Sequence, residues 1–67
     1  MSDASDLLTT EQAAVILGYA PATLGGWRLR GTGPAFVRMG SSRFIRYRMA
    51  DLEKWIDQNV VHPTPKR

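Results

Sequence analysis

The sequence predicts a mostly α-helical domain with one small β-hairpin, arranged as a winged helix-turn-helix. Three observations predict it. Between Thr9 and Trp27 two helical patterns are separated by Gly18-Tyr19-Ala20-Pro21. Residues 36–39 and 44–47 read as two short strands around Gly40-Ser41-Ser42-Arg43. A last helical stripe, Leu52, Trp55 and Ile56, follows the second strand almost directly.

The elements follow in order. Residues 1–6 are small, polar and acidic, and predict a frayed tail. Thr9 is the N-cap of the first helix, with Gln12 three residues on completing a capping box. Leu8, just before the cap, is placed to cover the first turn. Ala13, Ile16 and Leu17 mark the helix's apolar face. Gly18 ends the helix, since it takes a positive φ without steric cost. Tyr19 and Ala20 form the turn. Pro21 starts the second helix at a position where no backbone N–H is needed. Leu24 and Trp27, three apart, give that helix its buried side, and Gly31-Thr32-Gly33-Pro34 breaks it. In the hairpin, period-two reading turns Val37, Met39, Ile45 and Tyr47 inward. Arg38, Arg46, Phe36 and Phe44 then lie on the other face. The last helix spans 49–58, with Asp51 and Glu53 in the turns where the helix dipole favours acids. Trp27 and Trp55 stand at helical spacing with Leu24 and Leu52, which predicts core positions rather than surfaces for stacking on bases. Residues 59–67 hold two prolines and a basic end, and predict a flexible tail. The ordered domain is expected over 7–58.

Sixty-seven residues permit one small domain. Such a chain buries only about 60% of its unfolded surface, so its stability margin is thin. There is no cysteine to form a disulfide, and the single histidine, His62, has no Cys or His partner for a zinc site. No cofactor or metal is expected. Nor is an enzyme: His62 falls in the tail, Ser41 and Ser42 have no base held nearby, and the glycines at 25, 26, 31 and 33 do not follow a strand as a dinucleotide loop requires. No apolar run approaches the roughly 20 residues of a membrane helix. The acidic N-terminus is unlike a signal peptide, so the chain is expected in the cytoplasm and away from membranes.

Charge points to the partner. Nine Lys and Arg against six Asp and Glu give a formal net charge of +3. Eight of the nine cations are Arg28, Arg30, Arg38, Arg43, Arg46, Arg48, Lys66 and Arg67, whereas the segment up to Glu11 is acidic. A basic stretch rich in arginine suits planar contacts to phosphate and guanine, so double-stranded DNA is the expected partner.

At these residues the chain resembles the excisionase-like helix-turn-helix family, a compact relative of the MerR winged-helix fold that includes phage excisionases and AlpA-type prophage regulators. The resemblance rests on Leu8-Thr9-Thr10-Glu11-Gln12-Ala13-Ala14, Leu17-Gly18, Thr23-Leu24, Trp27, Gly31-Thr32-Gly33-Pro34 with Phe36, Arg46-Tyr47, and Asp51-Leu52-Glu53 with Trp55. It implies a second helix in the major groove and a hairpin wing on the backbone or minor groove. By position, Ala20, Pro21, Ala22, Gly25 and Gly26 lie on the groove side, Arg28 and Arg30 follow at the helix end, and Ser41, Ser42 and Arg43 form the wing tip. Thr23 either binds a phosphate or bonds its own helix backbone. Tyr19 donates to a phosphate or covers the turn. Arg28 and Arg30 also complement the helix dipole. Arg46 contacts DNA or pairs with Asp51.

The chain departs from the family at three positions. Members often carry Ser where this chain has Ala20, and long polar side chains where it has Gly25 and Gly26. Its groove-facing surface therefore offers almost no hydrogen bonds to base edges, which leaves methyl packing, close backbone approach, the wing arginines and DNA shape as sources of specificity. The resemblance implies a phage or prophage excisionase that binds and bends attachment-site DNA, as several copies on adjacent repeats, and directs an integrase toward excision. The small size agrees, since it leaves nothing over for a ligand or activation domain. A prophage transcriptional regulator with the same module is the alternative. A third reading is a protein-binding adaptor that docks a partner on exposed Phe36 and Phe44.

Overall fold

A computed structural model describes residues 7–40 and 43–63. The expected N-terminal tail at 1–6, the wing-tip residues Ser41 and Ser42, and the last four residues of the C-terminal tail lie outside them. In chain order the elements are β1 (Leu7–Leu8), α1 (Thr10–Leu17), α2 (Pro21–Arg30), β2 (Val37–Arg38), β3 (Ile45–Arg48) and α3 (Met49–Gln58). The three helices and small antiparallel sheet form a winged helix-turn-helix.

The helix ends are set by local chemistry. The Gln12 backbone N–H donates to Thr9 Oγ1 at 3.1 Å, and the Thr9 N–H donates to Gln12 Oε1 at 2.9 Å. This reciprocal pair satisfies two of the N–H groups that a helix start leaves without partners. Gly18 closes α1 at φ +81°, with its N–H donating to the carbonyls of Ala14 and Val15. Pro21 opens α2, and Ala20 before it supplies no side-chain cap. Gly31, at φ +72°, closes α2.

The sheet order is β1-β3-β2, and both pairings are antiparallel. Leu7 faces Arg48 and Leu8 faces Tyr47 across the first pair; Val37 faces Arg46 and Arg38 faces Ile45 across the second. The first hairpin strand is shorter than expected, while β3 keeps its length, starts one residue later and runs straight into α3. The pairing of Leu7–Leu8 with β3 was not anticipated. A two-residue strand is too short to show a period, so Leu8 reads only as cover for the helix.

Ala13, Ala14, Leu24, Ile45, Tyr47 and Leu52 are the buried core, with Leu8, Leu17, Trp27 and Phe36 packed on it. Four expectations need correcting. Ile16 and Ile56 are exposed, and Ala14 takes the place expected for Ile16 in the core. The methyl-sized side chains of Ala13 and Ala14 let α1 lie close on the core, a distance that a β-branched residue would not permit. The faces of β2 are the reverse of those expected: Val37 stands opposite Arg46 and Arg38 opposite Ile45, so alternation turns Phe36 inward, its ring 6.1 Å from that of Tyr47, and puts Val37 on the face of Arg46. The two tryptophans pack together with centroids 5.1 Å apart but stay half-buried, as expected where a small core has little volume.

Gly33 fixes the loop after α2. It sits at φ +86°, and a Cβ there would lie 2.8 Å from Trp27 Cε3. Only glycine fits that backbone and lets the loop close over the indole.

Candidate nucleic-acid interface

The two sides of α2 differ sharply. Leu24 is fully buried. At about 100° per residue, Ala22, Gly26 and Leu29 fall on the side away from it, with Gly25 at the edge. Ala22 and Leu29 are exposed. From Ala22 to Gly26 this outward face carries nothing larger than a methyl. Each glycine on it lies beside an arginine from the following turn. A Cβ on Gly25 would be 3.8 Å from Arg28 Nη2, and one on Gly26 would be 3.5 Å from Arg30 Nη1. The missing side chains leave room for both guanidinium groups to lie back along the helix.

Arg28 does more than reach outward. Its Nη1 donates to Tyr47 Oη at 2.8 Å and to Thr10 Oγ1 at 3.3 Å. Its guanidinium also stands 5.8 Å from the Phe36 ring centroid and 6.0 Å from that of Tyr47. One side chain thus ties α2 to α1 and β3, and gives the buried tyrosine its hydrogen-bond donor. Sequence reasoning weighed Arg28 as a phosphate or dipole residue and missed this role. Contacts to partners 18 and 19 residues away leave no local pattern to read. A guanidinium carries five N–H donors, so Arg28 keeps others for a ligand.

An open cleft of about 480 Å³ runs between the start of α1, the first half of α2 and the base of the wing. Thr9, Thr10, Glu11, Pro21, Ala22, Gly25, Arg28, Arg43, Ile45 and Arg46 line it. Three guanidinium groups face one carboxylate there, so the cleft attracts a polyanion. Arg46 is held in place: its guanidinium lies 4.1 Å over the Phe44 ring, and Nη1 donates to the Ile45 carbonyl at 2.8 Å. Of the two roles weighed for Arg46, pairing with Asp51 is not the arrangement present: Asp51 accepts from Arg48 Nε at 2.8 Å. Stacked against a ring, Arg46 loses less freedom on meeting a phosphate than a solvated side chain would.

The other anticipated residues are distributed around this cleft and face. Pro21, Ala22 and Gly25 line the cleft with Arg43. Ala20 is the bare N-cap of α2, Thr23 is half-buried with its N–H on the Ala20 carbonyl at 2.9 Å, and Gly26 and Arg30 lie on the outward face. Tyr19 packs edge-on against Trp27 at 4.8 Å, which favours its role as a cover for the turn. Phe36 and Phe44 do not form an exposed docking pair, since the first packs on the core and the second lies under Arg46.

A helix-turn-helix domain model matches residues 7–60. The chain belongs to the helix-turn-helix domain family. That family includes small AlpA- and excisionase-like DNA-binding proteins, and this helix-turn-helix protein is a DNA-binding protein. Domains of this family are typically non-enzymatic. No curated protein matches the chain. Among the described residues, no cluster of His, Cys, Asp and Glu could hold a metal ion, and no helix is long and apolar enough to cross a membrane. In this helix-turn-helix, α1 and α2 are the paired helices and the β2–β3 hairpin is the wing.

Proposed function

We propose that this protein docks on double-stranded DNA with the outward face of α2 in the major groove and a phosphate strand in the arginine cleft. The wing then follows the backbone into the neighbouring minor groove. The observation that carries this reading is the convergence of Arg28, Arg43 and Arg46 beside a helix face bare enough to approach base edges closely. Phosphate contacts of this kind fix register and orientation, and leave specificity to the helix and to DNA shape. The biological role that fits best is excision. The protein binds and bends attachment-site DNA, in several copies on adjacent repeats, and directs an integrase toward excision. The resemblance of its motifs to phage excisionases supports this assignment.

Two measurements test it. Affinity for duplex DNA should fall with salt at a slope of log K on log salt of roughly −3 to −5 per monomer, at about −0.9 per neutralised phosphate. A slope near zero removes the docking reading. In a purified integrase reaction the protein should bend attachment-site DNA and stimulate excision. Tight, specific binding with neither bending nor stimulation favours a transcriptional regulator built on the same module.

A further inference from the structure

The second half of α2 ends its outward face with two long side chains, Leu29 and Arg30. Leu29 is 91% exposed, more than any other large apolar residue described. It stands about 140° around the helix from Leu24, so no core packing accounts for it. Arg30 lies beside it, with Nη1 and Nη2 3.5 and 4.0 Å from where a Gly26 Cβ would be. Its guanidinium therefore lies along the outward face of the helix, over the space that glycine leaves.

The major groove offers base edges that are almost all polar, and one apolar group, the C5-methyl of thymine. Leucine pressed against N7, O6 or N4 would strip water from those atoms and return no hydrogen bond. Against a thymine methyl it buries apolar surface on both sides. Arginine has the complementary preference, since its fork matches guanine O6 and N7. We propose that Leu29 reads a thymine methyl and Arg30 a neighbouring guanine, so that the end of α2 determines which DNA site is chosen. This rests on the reading that the outward face of α2 enters the major groove. The cleft arginines then position the protein without reading sequence.

The test starts from the site that the full chain selects out of a random duplex library. Each thymine is replaced in turn by deoxyuridine, which removes only the C5-methyl. One position should lose affinity by roughly fourfold, the value of one methylene-sized group. Replacing the adjacent guanine by 7-deazaguanine should weaken binding again. Leu29→Ala should melt like the parent and no longer distinguish thymine from deoxyuridine. Retained discrimination in Leu29→Ala, or equal affinity for thymine and deoxyuridine at every position, overturns the inference while leaving DNA docking intact. Failure to bind any duplex at low salt overturns both.

Discussion

The inward and outward sides of α2 solve opposite problems with residues one or two positions apart. The inward side holds Leu24 without exposure, Trp27 between Tyr19 and Trp55, and Arg28 hydrogen-bonded to two other elements. The outward side has two glycines and an alanine, closed at the helix end by exposed Leu29 and Arg30. Packing density on one side and the small residues Ala22, Gly25 and Gly26 on the other belong together. A helix with two interior glycines is weak by itself, at about 1 kcal/mol each, and depends on tertiary contacts to stay folded. In this account the inward residues carry stability, and the outward residues with the cleft arginines carry affinity.

Substitutions should separate the two sides. The largest effect belongs to Leu24→Ala, which should cost about 2–5 kcal/mol, most of what so small a domain has. Chemical denaturation would measure it, and any loss of DNA binding should disappear under conditions where the variant remains folded. Gly33→Ala comes next. It forces a side chain into positive φ and onto Trp27, at a cost of about 2 kcal/mol or more. Its denaturation midpoint should fall while the folded fraction binds as the parent does.

Tyr47→Phe removes the acceptor for Arg28 and should lose about 1.5 kcal/mol. Arg46→Ala is the contrast from the outward group. Its stability should stay within about 0.5 kcal/mol of the parent, while the salt slope becomes shallower by about 0.9. Equal loss of stability in both variants would erase the distinction between an arginine that braces the fold and one that meets phosphate. Gly26→Ala should move stability and affinity in opposite directions. A Cβ there makes only ordinary contact with Arg30, so helix propensity should raise stability by up to about 1 kcal/mol. Affinity should fall as the methyl holds the helix off the groove. Thermal melts and binding isotherms on one preparation would show both signs, and a gain in both would mean that no close approach occurs.

What was legible in the sequence was local. Thr9 with Gln12, Gly18, Pro21 and the span of α3 are each set by residues within a turn of one another, and each stands where the sequence places it. The misreadings share a cause. Ile16 draws the eye as the larger hydrophobe, yet burial in α1 is decided by how closely neighbouring elements approach, which favours Ala14. Leu7–Leu8 becomes a strand only because β3 lies alongside it. Phe36 turns inward because the pairing of Val37 with Arg46 fixes which face of β2 joins that of Tyr47, and that register is set across the hairpin rather than within one strand. In the candidate site, the basic residues and bare helix were visible as composition. That Arg28 is shared between the fold and the cleft follows only once Thr10 and Tyr47 are brought beside it.

The division of labour across α2 is tested most directly by following backbone amide signals of the labelled protein as duplex DNA is added. The account predicts the largest shifts at Ala22, Gly25, Gly26 and Leu29 and at the cleft residues Arg43 and Arg46. Glu53 and Asp57, on exposed positions of α3, should hardly move. Shifts concentrated on α3, with the outward face of α2 unchanged, would contradict it.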